Sequence, residues 1–433
     1  MKILLLGYGK EGRAAENYFK THTIKEDHSI SCQNDNEKPS LEIWQDFTPS
    51  ELLQRNYLDY DMIFRSPSVP PYFADTLDSS TTESSSVTKF FFKHCPCPII
   101  GVTATKGKGT TCSFIKALLD AHQEDAYLVG NIGNPAIDIL DNLSSNSIVV
   151  YEMSSFQLWD LKVSPHIAVI GTIEPDHLNV HKNYAEYKDA KANICRYQTS
   201  EDFCIYYKDN QESVTIADQT QKALKVPYPF DIPEDIKTAV KLPGEHNIRN
   251  AIAAIAAVAC YLNISPDEYL REYKTEIQQG LSSFKGLPHR LEFVRKIDNI
   301  KFYDDNFSTN PASTRVAIEA FPKETVIPII GGLDKTNYRD LEEIYEILNT
   351  KRVNIPAIIL IGESGHELYR RYQDKRFILA DSLEDAVKKA TKSAQKLDHA
   401  VVLMSPSAAS FDMFKNVYER GDQYQTLIKQ ISF

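Results

Sequence analysis

Short apolar runs alternate with helical periodicity along most of the chain. Residues 2–6, 61–64, 98–103, 147–152, 166–171, 325–330, 357–361 and 400–404 are rich in β-branched residues and stop at a glycine or polar residue. Runs of this length and composition predict parallel strands buried on both faces. Helical patterns between them predict α/β layers. In such sheets ligands bind beyond the carboxyl ends of the strands, and the candidate chemistry below falls there. Two breaks interrupt the pattern. Residues 76–86 (TLDSSTTESSS) read as a polar loop before the apolar stretch 87–92, and His94-Cys-Pro-Cys-Pro98 punctuates the chain next. Residues 282–290 (SSFKGLPHR) follow a helical stretch. Boundaries near 93 and 286 give three expected domains, 1–93, 94–286 and 287–433. No short internal repeat is visible.

At roughly 100–200 residues per domain, 433 residues fit this division. Hydrophobic residues at 42% and charged residues at 25% are ordinary globular usage. The 48 Lys+Arg against 59 Asp+Glu leave a net charge of −11 with no basic block. That argues against general nucleic-acid or anionic-membrane binding, but leaves room for a nucleotide held by a local loop. No apolar run approaches the ~20 residues that span a bilayer. The start, MKILLLGYGKEGR, reads as a first strand and not as a signal peptide. Seven scattered cysteines make no disulfide framework, and the one-residue gap of Cys95-Pro-Cys97 is not that of a zinc knuckle. Reduced thiols in a cytoplasmic protein are expected.

The segment 98–113, PIIGVTATKGKGTTCS, runs from strand through a Gly/Thr/Lys loop into the helical pattern 114–121. That is the context of a phosphate-binding loop. Gly107 and Gly109 let backbone N–H groups converge on phosphate oxygens, and the helix N-terminus adds its dipole. Lys108 is placed to reach the outer phosphates. Gly109 leaves the usual hydroxyl position after the lysine empty, so Thr110 becomes the candidate Mg²⁺ ligand. Glu152 ends the strand SIVVYE, where a hard carboxylate oxygen can share that ion. Asn247 and Asn250 open a helical pattern at 248–257; asparagine can cap a helix or bind an adenine edge. On bare sequence His177 reads as a structural histidine, and Lys191, in the helical pattern 184–194, as a solvated helix-face lysine. Gly7-Tyr-Gly-Lys-Glu-Gly12 alone is a weak dinucleotide-type signal.

Further motifs follow in order: Gly130-Asn-Ile-Gly133, Tyr151-Glu-Met-Ser-Ser-Phe-Gln-Leu158, Asp176-His-Leu178, Gly244-Glu-His-Asn-Ile-Arg-Asn250, Gly286-Leu-Pro-His-Arg290, Ser405-Pro-Ser-Ala-Ala-Ser-Phe-Asp412, Phe414-Lys-Asn416 and Glu419-Arg-Gly421. With the phosphate loop, this ordered set resembles the Mur ligase superfamily, which also contains folylpolyglutamate synthases. The form Gly107-Lys108-Gly109-Thr110 is closer to the synthases. The C-terminal motifs are closer to the branch that adds D-glutamate to UDP-N-acetylmuramoyl-L-alanine in peptidoglycan precursor synthesis.

The resemblance implies an α/β fold of three domains: N-terminal Rossmann-like, central P-loop ATPase-like with a parallel sheet, and C-terminal Rossmann-like. It implies ATP-dependent amide formation through an acyl phosphate. ATP would meet Thr105, Lys106, Gly107, Lys108, Gly109, Thr110, Thr111, Asn247, Asn250, Arg290 and Asp305. The UDP-substrate would meet Gly9, Lys10, Glu11, Ser66, Asn131, Ser154 and His177. The amino acid would meet Thr309, Lys335, Ser410 and Phe411. Two Mg²⁺ ions are implied, on Thr110, Glu152, His177 and a carbamylated Lys191, with Lys108, His177 and Lys191 as the catalytic set. Glu11 is acidic where relatives carry a neutral residue; Phe307 and Val417 replace a lysine and an aromatic of the familiar pattern. A cytoplasmic monomer is expected. A folylpolyglutamate synthase-like ligase and a non-catalytic nucleotide-binding relative remain as alternatives.

Overall fold

The computed structural model describes residues 1–24, 30–32, 39–77 and 82–431. They divide into two compact units, Met1–Ala239 with Arg249–Ser283, and Val240–Ile248 with Phe284–Phe433.

The larger unit holds two parallel sheets. The first runs in the order Ser40–Trp44, Lys2–Leu6, Met62–Arg65, Glu83–Ser86. The second runs Leu224–Tyr228, Phe203–Tyr207, Ile167–Ile170, Ile99–Thr103, Ser147–Glu152, Asp125–Gly130. Its central strands, Ile99–Thr103 and Ser147–Glu152, are buried at every residue. That is why they read as unbroken apolar runs and not as alternating ones. Helix Lys108–Ala121 covers them with Phe114, Ile115, Leu118 and Leu119. Each such side chain contributes roughly 1.5–3 kcal/mol by leaving water, and Phe114→Ala would cost about 3–5 kcal/mol.

The smaller unit carries the third sheet. Ile300–Asp304, Ala400–Met404, Val326–Ile330, Ile358–Leu360 and Phe377–Leu379 are parallel, in the order 300–304, 400–404, 326–330, 358–360, 377–379. The fold is thus α/β, and each of the eight expected strands is present within one residue of its expected bounds.

The structure departs from the sequence expectation in two places. Part of the expected loop 76–86 is a strand, Glu83–Ser86, at the edge of the first sheet; residues 78–81 lie outside the described residues. An edge strand has one neighbour, so polar Ser/Thr composition does not bar it. Glu292–Ile297 pairs antiparallel with Ile300–Asp304. It is half-exposed, so it carries none of the apolar signal of its neighbours. Among the described residues no single helix is long and apolar enough to cross a membrane.

Candidate active site

A cavity of about 430 Å³ opens in the larger unit where strand ends of its two sheets face each other. Nine of the expected site residues line it: Gly9, Lys10, Glu11, Ser66, Lys108, Asn131, Ser154, His177 and Lys191. They come from seven segments between residues 9 and 191.

The phosphate loop forms one wall. Strand Ile99–Thr103 ends at Ala104, and the chain turns back through Thr105–Gly107 into the helix that starts at Lys108. Gly107 is the helix N-cap and sits at φ +84°, a region side chains rarely adopt. A Cβ there would also lie 2.8 Å from Asn250 Oδ1. The N-cap itself offers no side chain, and a helix N-terminus can receive an anion. Thr110 is half-buried and Thr111 buried in the first turn. Thr105 holds the loop shut: its Oγ1 donates to Glu174 O (3.0 Å), accepts from Glu174 N (2.9 Å) and meets Tyr187 Oη at 2.9 Å. Lys106 is exposed and 3.9 Å from Glu174. Lys108 Nζ donates to Ala104 O (2.8 Å) and Thr105 O (3.1 Å).

Lys191 overturns the bland reading of a solvated lysine. It is 1% exposed and donates to Ala104 O (2.9 Å) and Thr103 Oγ1 (3.2 Å). Its ammonium lies 4.9 Å from the centre of the Tyr187 ring. Burial, with help from the nearby charge of Lys108, holds its pKa well below that of an ordinary lysine, while Asp176 and Glu152 oppose the shift. Lys188, its neighbour on the same helix, instead pairs with Glu212 at 2.8 Å and is half-exposed. Glu152 is buried at the end of its strand, in register with Val102 and Gly130. His177 is exposed, has φ +54°, and lies 4.9 Å from the Phe156 ring and 6.5 Å from Tyr187.

The opposite wall comes from the first sheet. Gly9 caps helix Lys10–Thr21, and Gly12 is required because a Cβ would approach Gly7 O to 2.4 Å. Lys10 Nζ donates to Gly133 O (2.6 Å), and Ser66 Oγ to Gly7 O (2.7 Å). Asn131 is exposed, its N–H near Glu152 O at 3.4 Å. Ser154 caps the short helix Ser155–Leu158 in a reciprocal box with Gln157. The carboxylate of Glu11 accepts from Gln157 Nε2 (2.7 Å), and burial pushes its pKa up to about 7 against the lowering effects of Gln157, Arg65 and Lys10.

Sequence reasoning missed Arg65, Gln157 and Tyr187. Arg65 is 1% exposed and braces the cavity. It donates to Val69 O (3.1 Å) and Phe156 O (3.0 Å), and pairs with Asp160, which Lys89 also meets at 2.6 Å. Its signal was a charge ending the apolar strand Met62–Arg65, directly before Ser66.

The helix Glu245–Tyr261 begins three residues before the expected pattern, so Asn247 and Asn250 lie within it. Asn247 donates to Pro243 O at 2.7 Å.

In the smaller unit the expected residues gather at the carboxyl ends of three adjacent strands. Asp305 follows Ile300–Asp304, Lys335 follows Val326–Ile330, and Ser410 and Phe411 follow Ala400–Met404. Asp305 is buried and accepts from Leu291 N (3.1 Å), Ser405 Oγ (2.8 Å) and Ser308 Oγ. Burial raises its carboxyl to about 7 against those hydrogen bonds and Arg290. Ser410 Oγ is buried with no hydrogen-bond partner among the described residues. Thr309, Arg290 and Lys335 are exposed; Arg290 lies over the Phe307 ring (5.1 Å) and Lys335 over Phe411 (5.3 Å). Buried Arg420 donates to Ala408 O, Ala409 O and Asn306 O, tying two of these loops together.

Residues 102–231 match the Mur ligase middle domain, and residues 289–408 the Mur ligase glutamate ligase domain. The UDP-N-acetylmuramoylalanine–D-glutamate ligase of Clostridium kluyveri is 32% identical over 406 residues, covering 86% of this chain and 83% of that protein. The chain belongs to the Mur ligase family. The ligase of the same name from Clostridioides difficile strain 630 is 34% identical over 402 residues, 86% of this chain and 85% of its own. The solved UDP-N-acetylmuramate–alanine ligase of Thermotoga maritima is 16% identical with a TM-score of 0.57, over 99% of each chain, which supports the fold. As a Mur ligase the protein is an ATP-dependent ligase of peptidoglycan synthesis. Its residues fit a nucleotide and a hard cation: the loop offers a left-handed glycine at a helix N-terminus, and Thr110 and Glu152 supply oxygen donors.

Proposed function

We propose that this Mur ligase joins D-glutamate to UDP-N-acetylmuramoyl-L-alanine. The observation that carries the reading is the single cavity that gathers Lys108, His177 and Lys191 with the Gly9–Glu11 turn and Ser66. Similarity to two ligases named for this reaction supports it. Thr105–Thr111, Asn247, Asn250, Arg290 and Asp305 serve ATP. Gly9, Lys10, Glu11, Ser66, Asn131, Ser154 and His177 serve the UDP-substrate. Thr309, Lys335, Ser410 and Phe411 serve the amino acid, with Lys335 as the cation for a dianion.

The substrate carboxylate takes the γ-phosphoryl group of ATP: a C–O–P bond forms, and ADP leaves. The amine of D-glutamate then attacks the acyl carbon, the C–O bond to phosphate breaks, and the amine loses a proton. Crowding of anionic oxygens around one carbon is the obstacle. Lys108 and the helix N-terminus offset part of that charge. Mg²⁺, held by Thr110 and Glu152 and at a second position by His177 and a modified Lys191, would supply the rest when bound. Lys191 suits modification because its amine is held toward the neutral form. The neutral nitrogen attacks CO₂, an N–C bond forms as one C=O π bond of CO₂ opens to an oxyanion, one proton is released, and the neutral amine becomes a carboxylate-like ligand. The protein works as a monomer in the cytoplasm.

The second reading, a folylpolyglutamate synthase-like ligase, is favoured by Gly107-Lys108-Gly109-Thr110. ADP release measured with each acceptor separates the two. Turnover that requires UDP-N-acetylmuramoyl-L-alanine supports the proposal; turnover on a folate instead refutes it, and turnover on neither leaves the non-catalytic relative.

A further inference from the structure

Cys95-Pro-Cys97 takes no part in the site described above. It lies where helix Val87–His94 ends and strand Ile99–Thr103, which leads to the phosphate loop, is about to begin. Two prolines shape it. A residue before proline is pushed out of the helical region towards extended backbone, and Cys95, the C-cap of the helix, sits at φ −67°, ψ 121°. Pro96 and Pro98 fix their own φ and carry no N–H. In extended chain, side chains two residues apart point to the same side. The two sulfurs therefore meet: Cys95 Sγ lies 3.6 Å from Cys97 Sγ, in a contact that is only partly buried. Both residues are half-exposed, whereas Cys112, Cys195, Cys204 and Cys260 are buried. A disulfide bond holds its sulfurs ~2.05 Å apart, so each sulfur has under ~1 Å to move. The backbone is anchored on both sides, by Cys95 N–H to Phe91 O (2.8 Å) and by Val149 N–H to Pro98 O (3.1 Å).

The two thiols are unequal. The Cys97 S–H, donating to the Cys95 sulfur, holds Cys95 below the ordinary thiol value against the effect of its burial. The same bond, then burial and the charges of Cys95 and Asp125, raises Cys97 above that value. A low thiol that attacks beside a second thiol that resolves is the arrangement of a redox-responsive pair. We propose that Cys95 and Cys97 form a reversible dithiol–disulfide couple, oxidised by low-molecular-weight disulfides. The Cys95 thiolate attacks one sulfur of the reagent; a mixed disulfide forms, and the reagent's own S–S bond breaks as one thiolate leaves. Cys97 then gives up its proton and attacks Cys95 Sγ; the Cys95–Cys97 bond forms, and the second thiolate leaves. Two protein thiols are oxidised, one reagent disulfide is reduced to two thiols, and the protons of the protein thiols pass to solvent or to the released thiolates. A half-exposed bond closing so short a loop belongs to the labile class of disulfides, so thiols reverse it readily.

The test is to incubate the folded full chain with oxidised glutathione, trap the remaining thiols with iodoacetamide in denaturant, digest with trypsin and weigh the peptide 94–106, which holds these two cysteines and no other. In wild type this peptide should lose two hydrogens and carry neither glutathione nor the alkyl group, and dithiothreitol should restore both thiols. Cys97→Ser, treated alike, should stop at one glutathione on Cys95, because nothing resolves the mixed disulfide. Two alkylated cysteines in the treated wild-type peptide would overturn the proposal, and so would a glutathione adduct on Cys95 as its end product; both are read without the variant. Oxidation of a buried pair such as Cys195 and Cys204 before this one would overturn it as well.

Discussion

Replacing Arg65 tests whether the cavity is held together by one buried charge. Its guanidinium ties the chain at Val69 to Phe156 O and Asp160. Burial alone would raise the Asp160 carboxyl, but Arg65 and then Lys89 overcome it and hold the group at about 2, against 3.8 when free. At about 1.4 kcal/mol per tenfold in proton affinity, that lowering is worth roughly 2 kcal/mol of stability at neutral pH, shared between the two cations. Arg65→Met keeps the stem volume and removes the charge. Breaking a buried pair costs ~3–5 kcal/mol; Lys89 remains, so the lower end, about 3 kcal/mol, is expected. A carboxyl depressed on folding contributes stability above its free value and loses it as pH falls through the folded value. The gap between wild type and variant should therefore be flat from pH 8 to about 5 and narrow between 4 and 2. Urea unfolding followed by tryptophan fluorescence suits this, because Trp159 adjoins Asp160 and only one other tryptophan exists. The KM for the UDP-substrate should also rise, since Ser66–Ser68 form the braced wall. A gap under about 1 kcal/mol at pH 7, or one unchanged at pH 2, would refute the reasoning.

Lys191→Arg should be inactive, because a guanidinium cannot take up CO₂, and Lys191→Ala should regain partial turnover in acetate; an active Arg variant sinks the carbamate. Lys188→Ala should keep most activity, as its half-exposed pair with Glu212 contributes under ~1 kcal/mol. Gly107→Ala should lose ~1–2 kcal/mol from its left-handed backbone plus the 2.8 Å approach to Asn250; melting curves should show a smaller loss in an Asn250→Ala background, and equal losses would discard the contact. His289 is raised chiefly by its 2.7 Å hydrogen bond to Asp304. Its contribution is present below pH 6.5 and lost as pH rises through the folded value, so the stability lead of wild type over His289→Gln should shrink from pH 6 to pH 9 in urea unfolding.

The strands were legible because central parallel strands must be apolar on both faces, which no other short element requires. Glu83–Ser86 and Glu292–Ile297 were not, since an edge position relaxes that demand. The phosphate loop was legible in its glycines and flanks, down to the φ of Gly107. Lys191 was legible only through family likeness: helical spacing does not say which face of 184–194 packs inward, and its burial depends on Thr103, Ala104 and Tyr187, remote in sequence. Arg65 and Gln157 escaped for the same reason, because their partners Asp160 and Glu11 lie 95 and 146 residues away.

The central claim is a specific amide bond. The most direct measurement is the product mass after incubation with ATP, Mg²⁺, UDP-N-acetylmuramoyl-L-alanine and a panel of D- and L-amino acids. The account expects one ATP-dependent product, heavier than the UDP-substrate by a glutamyl residue and formed from D-glutamate alone. A product bearing a different amino acid, or glutamate added to a folate while the UDP-substrate is returned unchanged, would contradict it.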